Sequence, residues 1–320
     1  MSHYTAPRAL VLGGAGFVGR HVCAAFTAAG YQVVAVSRRP RPHAPGVLGV
    51  SLDLLAAEPR EITALLRAIG PAVVVNATGA VWDVTVRQLT DVNVHLVERL
   101  AGSLGALSTR PRLVHLGSVH EYGAVPHGAA IDEGVPECPS TSYGRTKLRG
   151  SRVVLDATAA GLLDAVVLRI SNVVGPGTPR GSLLGRVAGQ LADAAERGEP
   201  ARLRLTPLRA KRDFVDVCDV TDAVVTAARR PVSGRVLNLG RGEAVGVRRM
   251  VDGLISASGI EARVVEEGGQ EARSEGVEWQ QVDCAAARAA LGWVPRRRLE
   301  DSLRALWEET REHCRASRAS

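Results

Sequence analysis

Apolar residues fall along the first half of this chain in short runs, each closing on glycine or a small residue. The runs are RALVLGG (8–14), YQVVAVS (31–37), PAVVVNA (71–77), RLVHLGS (112–118) and AVVLRIS (165–171). Runs of this length, rich in valine and bounded by turn residues, predict strands covered on both faces. Between them the apolar spacing becomes helical: after the first run as far as Gly30, over residues 60–70, through DVNVHLVERLAGSL (91–104), and from Tyr143 to about Ala160. This alternation predicts an α/β fold built on a doubly wound parallel sheet. Ligands of such sheets bind beyond the carboxyl ends of the strands.

Past residue 172 the rhythm loosens. GPGTPRG reads as a loop, LLGRVAGQLADAAERG as a helix, RDFVDVCDVTDAVVTAARR as a strand entering a helix, and RVLNLG (235–240) as a strand. The remainder predicts two or three helices and a short strand. The expected organisation is a dinucleotide-binding domain over 1–172 and about 214–240. A smaller substrate-binding lobe takes about 173–213 and 241–314, and 315–320 form a disordered tail.

Composition narrows the chemistry. Aromatic residues are 3% of the chain, so the core must be built from Val, Leu, Ala and Ile. The cysteines (Cys23, Cys138, Cys218, Cys284, Cys314) are odd in number and scattered, which suggests neither a metal site nor a disulfide framework. Net charge is +7, but the basic runs RRPRPH (38–43) and PRRRLE (295–300) lack the interleaved aromatics that bases would stack on. Nucleic acid is therefore not an expected partner, and anionic small molecules explain the local arginines better. MSHYTAPR is too short and polar for a signal peptide, and no apolar run reaches the ~18 residues of a membrane span. The expectation is a soluble cytoplasmic protein without a membrane partner.

GGAGFVG (13–19) follows the first strand and opens the first helix. Gly13 permits a tight turn, and Gly16 lets backbone N–H groups approach a pyrophosphate. Phe17 and Val18 begin the helix whose N-terminus stabilises that anion. The second strand ends Ser37-Arg38-Arg39, where an NAD enzyme would place an acid for the ribose hydroxyls. Guanidinium groups instead suit a 2′-phosphate, so NADP(H) is the expected cofactor. Asp53-Leu54, after the next short strand, is a candidate for contact with the adenine.

Of forty basic residues only Lys147 and Lys211 are lysines, and Lys147 lies four residues after Tyr143, in TSYGRTK (141–147). On a helix this spacing turns both side chains the same way. An ammonium beside a phenol favours the phenolate, and the expectation is that Lys147 lowers the Tyr143 pKa. Lysine suits the position because it is a compact point charge with three donors.

Several motifs together, GGAGFVG, Asn76-Ala77-Thr78, HLGSVHEYG, SYGRTK, LRISNVVGPG, RDFVDVCDV and LGWVP, resemble the extended short-chain dehydrogenases/reductases of the epimerase/dehydratase group. The resemblance spans about residues 8 to 310 and implies a Rossmann domain with a C-terminal lobe for a nucleotide sugar. It implies a catalytic trio of Ser118, Tyr143 and Lys147, with the last two also meeting the cofactor beside Ala77 and Thr78. Asn172 and Arg212 would meet the substrate diphosphate, and Arg273 would lie near the nucleotide ribose in a stretch lacking the family's proline. Asn93 reads as structural and Asn238 as a turn or strand-end residue. The resemblance also implies a homodimer through helices near 84–104 and 143–160.

The position after Ser118 separates reaction types within the group. Dehydratases need acids there, whereas this chain has Val119 and His120, with Glu121 one place on. Valine exchanges no protons, which disfavours dehydration. A reductase consumes hydride and exchanges its cofactor, which suits NADPH. The favoured reading is reduction of the keto group, at position 4, of a dTDP- or GDP-linked 4-keto-6-deoxyhexose, as in deoxysugar pathways of antibiotics. The alternatives are a nucleotide-sugar 4-epimerase that retains NAD(P), a 4,6-dehydratase, and a non-catalytic NADP-binding regulator. Val119, His120 and Trp82 are candidate sugar contacts. His120 is open to a role as second proton carrier or plain structural residue, and Trp82 to one in packing.

Overall fold

The computed structural model describes residues 6–39, 44–79, 81, 84–267 and 277–319. The chain opens with β1 (Arg8–Leu12), α1 (Phe17–Ala28), β2 (Gln32–Ser37), β3 (Val47–Ser51), α2 (Pro59–Ile69) and β4 (Val73–Asn76). Helix α3 (Val86–Thr90) then passes through a π-helical turn, Asp91–His95, into α4 (Leu96–Gly105). Next come β5 (Arg112–Ser118), α5 (Ser142–Ala159), β6 (Asp164–Ile170), β7 (Asn172–Val174), α6 (Leu183–Arg197), β8 (Ala201–Leu205), β9 (Lys211–Asp216), α7 (Val217–Arg229) and β10 (Val236–Leu239). The chain ends with β11 (Ala244–Gly246), α8 (Val247–Ser258), β12 (Ala262–Glu266), α9 (Ala285–Leu291) and α10 (Leu299–Ala319).

Seven strands form the central sheet in the order β10-β6-β5-β4-β1-β2-β3, with every pair parallel. Alternate side chains of each strand enter opposite layers. Leu10, Leu12, Val34 and Val74 join α2 and α4 on one face, while Ala9, Val11, Ala35 and Val75 join α1 and α7 on the other. Burial on both faces explains why these strands are apolar throughout rather than alternating. Each fully buried Val or Leu is worth about 1.5–3 kcal/mol, so a charge within such a strand needs a partner.

Strand order reverses between β1 and β4. There the register sets Leu12 beside Asn76, and Asn76 beside His115. The segments leaving β1, β4 and β5 therefore share one rim.

The second lobe holds a three-stranded sheet, β11-β9-β7, and a parallel pair, β12-β8, around a core that includes Leu191, Met250, Leu303 and Trp307. Strand β9, expected to rejoin the main sheet near residue 214, pairs instead with β7 and β11. The main sheet is regained at β10, after α7. The expected tail at 315–320 is helix as far as Ala319, because its Ala and Arg residues are strong helix formers continuing an anchored helix. Arg20 of α1 reaches Glu309 of α10 at 2.8 Å and the Pro176 carbonyl at 3.0 Å, joining the two lobes. Among the described residues no helix is long and apolar enough to cross a membrane.

Candidate active site

The cofactor cradle starts at Gly13, whose φ of +76° is open to glycine, and where an added Cβ would stand 2.8 Å from the Ala77 carbonyl. Gly19 is more constrained still, since its Cβ would meet the Gly13 carbonyl at 2.1 Å. Gly16 caps α1 without a side-chain acceptor, and the first turn holds no acid. The N–H groups opening α1 at Phe17 and Val18 are thus left without a side-chain cap, with the helix dipole behind them. These features fit a dinucleotide pyrophosphate.

At the end of β2, the Ser37 hydroxyl donates to the Arg39 carbonyl at 2.8 Å, and the Ser51 hydroxyl donates to the Arg38 carbonyl at 3.2 Å. Both arginines are exposed, and neither has an acidic partner among the described residues. Asp53 accepts from the Leu55 N–H at 3.0 Å and stays at the surface. Leu54 departs from expectation: it is buried in the core beside Leu10, Val34 and Ile62, because its alternate position after Asp53 turns it under α2.

The rim of β5 carries the reacting groups. Thr141 caps α5, its hydroxyl accepting from the Gly144 N–H at 2.9 Å. A Cβ on Gly144 would be 2.3 Å from the His120 carbonyl, so this glycine lets the first turn of α5 press directly on residues 118–121. The contact sets the half-buried Tyr143 ring against Ser118 and edge-on to His120, with ring centroids 5.8 Å apart.

The expected depression of the Tyr143 pKa is absent. Burial pushes the phenol up to about 12, hydrogen bonding with Ser118 pulls it part-way back, and the Glu121 charge adds to the rise. Lys147 is buried, 4% exposed, and its ammonium donates to the Leu116 carbonyl at 2.5 Å. With that cation drawn to a backbone oxygen, desolvation governs the phenol. The same burial lowers the Lys147 pKa, against the Glu121 charge.

Two buried polar groups brace this rim. Glu121 accepts from the Ser118 N–H at 2.8 Å, from the Ser151 hydroxyl at 3.0 Å and from Arg169 Nε at 2.7 Å. Arg169, 1% exposed, also pairs with Glu137 and stacks over the Tyr122 ring at 4.5 Å. In the second group Asn76 Oδ1 accepts from both Thr78 donors, so Asn76 Nδ2 faces His115 Nδ1 at 3.1 Å. Burial first, then the Lys147 charge, keeps His115 neutral. Asn93 is buried in the π-helical turn and donates to the Thr146 hydroxyl at 3.1 Å. Asn238 is not a turn residue but a buried hub within β10, accepting from the Tyr122 hydroxyl at 2.8 Å and donating to the Ile131 carbonyl at 3.2 Å.

The substrate side differs in detail from the expectations. Val119 does not line the site. It begins a 3₁₀ turn, Val119–Glu121, and packs fully buried against Tyr122, Ile131 and Val282. His120, on the same turn, is the residue left facing Tyr143. Burial, then the Arg212 charge, lowers the His120 pKa to about 4, so the imidazole is neutral near pH 7 and is no ready proton carrier. Arg212 is 6% exposed, yet its one hydrogen bond is a 3.4 Å contact from Nη1 to the Lys211 carbonyl, and it has no ion pair among the described residues. Burial brings its pKa down to about 10, against the Glu278 charge.

Asn172 Nδ2 donates to the Asp213 carbonyl at 2.9 Å and to Gln280 Oε1 at 2.7 Å. Both amide hydrogens are thereby engaged within the protein. Asp213 is itself buried and accepts from the Arg241, Gly242 and Val282 N–H groups. Burial pushes its carboxyl up to about 6 in spite of those donors. Trp82 and Arg273 lie outside the described residues. Of the features above, Gln280 and the Glu121–Arg169 pair were not anticipated.

A phenol against a serine hydroxyl, a buried lysine one turn along α5, and a glycine-rich cradle on the same sheet edge are the working parts of a dinucleotide-dependent oxidoreductase. The model of the NAD dependent epimerase/dehydratase family matches residues 9–240. The chain belongs to this family. It is an oxidoreductase of the extended short-chain dehydrogenase/reductase type. It is 44% identical over 306 residues to dTDP-6-deoxy-L-talose 4-dehydrogenase (NAD(P)(+)) of Kitasatospora kifunensis, covering 95% of this chain and 96% of that one. GDP-6-deoxy-D-mannose reductase of Pseudomonas aeruginosa is 27% identical, with 94% and 97% covered. The solved structure of RMD from Pseudomonas aeruginosa complexed with NADPH matches with a TM-score of 0.81 at 25% identity, over 96% of this chain and 98% of that one.

Proposed function

We propose that this enzyme uses NADPH to reduce the 4-keto group of a dTDP-linked 4-keto-6-deoxyhexose. The observation that carries the reading is the pairing of a proton-bearing phenol with a buried guanidinium that lacks an anion, with His120 touching the first and feeling the charge of the second. A desolvated arginine with no ion pair among the described residues, and only the Glu278 charge acting on it, suits a strongly anionic ligand such as a diphosphate. With His120 against Tyr143 and within reach of the Arg212 charge, a sugar carried on that diphosphate would extend toward the phenol. The 44% relative names a dTDP-6-deoxyhexose and its position 4, and oxidation there is the same hydride transfer run backwards.

NADPH supplies hydride to the carbonyl carbon when bound. Tyr143 donates its phenolic proton to the carbonyl oxygen, so the ketone becomes an alcohol and a phenolate remains. Ser118 hydrogen-bonds the same oxygen and orients it for that proton. Lys147, held by the Leu116 carbonyl, has donors left for the cofactor ribose. The buried, apolar Val119 and neutral His120 provide no acid pair for dehydration. Arg38 and Arg39, exposed and without an acidic partner among the described residues, favour an exchangeable NADPH and with it a reductase over an epimerase.

Purified enzyme with NADPH and a panel of dTDP- and GDP-4-keto-6-deoxy sugars is expected to consume NADPH with a dTDP sugar, read as loss of nicotinamide absorbance. Interconversion of sugars without net loss of NADPH would establish an epimerase instead. In the same assay, replacing both Arg38 and Arg39 by alanine is expected to raise KM for NADPH roughly 10-fold or more, by loss of charge-assisted bonds. KM for NADH should stay within about 2-fold. Equal changes for the two cofactors would remove the arginines from the 2′-phosphate site.

A further inference from the structure

We infer that Gln280 is a second donor to the anionic group held by Arg212, and that Asn172 positions Gln280 rather than meeting that anion itself. The inference rests on the nucleotide-sugar reading and adds a residue to it. Gln280 is fully buried, and its Nε2 has no hydrogen-bond partner among the described residues. An orphaned buried donor costs about 1–3 kcal/mol, and a fold retains one where a ligand completes it. Its direction is set by its neighbours. Asn172 Nδ2 approaches Gln280 Oε1 at 2.7 Å, which requires the carbonyl end of Gln280 to face Asn172 and leaves the NH₂ end free.

The backbone around Gln280 is pinned. The Lys211 N–H donates to the Glu278 carbonyl at 2.8 Å, and the Gln280 N–H donates to the Lys211 carbonyl at 3.1 Å. That same oxygen is the one Arg212 Nη1 touches, so Gln280 and Arg212 share an acceptor. Glu278 acts on the Arg212 charge, and Val282 packs beside Val119. Gln280 thus sits in the chain between Glu278, whose charge reaches Arg212, and Val282, which packs on the turn that carries His120. A donor inventory agrees: both Asn172 hydrogens are engaged, and its remaining oxygen is an acceptor that an anion would repel.

The test uses the full-length enzyme saturated with NADPH and dTDP alone as the probe, with Kd from calorimetry. Gln280→Met removes the donor at similar volume and is expected to weaken dTDP roughly 10–100-fold. KM for the sugar substrate should rise by a comparable factor while kcat moves little. Gln280→Glu keeps an Oε1 acceptor for Asn172, replaces the donor by a negative charge, and should weaken dTDP at least as much. This second variant decides the matter if Gln280→Met fails to fold. Asn172→Ala should weaken dTDP in the native background but add little to Gln280→Met, as expected of a residue acting through another. Arg212→Gln separates the inference from the reading beneath it. If Arg212→Gln weakens dTDP and both Gln280 variants bind it as the native enzyme does, Gln280 has no part in the site. If Arg212→Gln also binds dTDP normally, the diphosphate reading itself falls.

Discussion

Tyr143→Phe is expected to bind NADPH as the native enzyme does and to lose about 10²–10⁴-fold in kcat, the usual weight of a positioned proton transfer. The substitution removes one oxygen from a ring whose place is set elsewhere, by Gly144 against the His120 carbonyl and by the edge-on His120 ring. The cradle at Gly13 and Gly16 is untouched, so calorimetric titration with NADPH reports whether the variant is intact. The pH profile carries a second check. A phenol pushed up to about 12 by burial stays protonated through neutrality. Reduction, which needs the proton, should hold its rate as pH rises from about 6 to about 9. The reverse oxidation, which needs the phenolate, should climb over the same range. A Phe variant that turns over near the native rate removes Tyr143 as the acid, whereas a reduction rate that falls steeply across neutrality in the native enzyme would mean that the phenol titrates lower in the complex than burial alone sets.

Arg169→Met is expected to destabilise the fold by about 3–5 kcal/mol, the range seen when one partner of a buried ion pair is removed. The variant leaves the Glu121 carboxylate, wholly buried, with only the Ser118 N–H and Ser151 hydroxyl as donors. Urea unfolding should show a lower midpoint at unchanged slope. Adding Glu121→Gln to Arg169→Met should recover part of the loss, since an amide tolerates burial better than a lone carboxylate. A loss under about 1 kcal/mol would mean that water or another cation takes the place of Arg169. Turnover of the folded fraction should also fall, because Glu121 fixes the backbone of Ser118.

What could be read in advance follows from where the information lies. The strands of the main sheet are legible because a strand buried on both faces must be apolar throughout, whatever it packs on. Tyr143 and Lys147 are legible because helical spacing fixes their common face and because lysine is rare in this chain. Ser118 leaned on the family resemblance, as a serine ending a strand has many uses. Side-chain direction in tight turns is not local information. Val119 and His120 are adjacent, and only the 3₁₀ turn closing on Tyr122 decides which one is buried. The burial of the Leu54 side chain is set in the same way, at a turn after β3. The effect of Lys147 on Tyr143 depends on whether the ammonium meets the phenol or a carbonyl, and spacing on a helix does not distinguish these. One signal was present and passed over: Arg169 interrupts AVVLRIS, an otherwise apolar run. A cation there demands a buried acid, and Glu121 was within the quoted motif HLGSVHEYG.

The order of strands also sets a timetable for synthesis. Six of the seven main-sheet strands have left the ribosome by residue 170, but the seventh, β10, follows only at Val236–Leu239. Until then β6, seven residues long and apolar but for Arg169 and the half-buried Asp164 at its start, offers a bare edge to any passing chain. The whole of β7 through α7 must emerge before that edge is sealed. A nascent or prematurely ended chain stopping short of residue 236 is therefore the form of this protein most exposed to aggregation and most in need of a chaperone.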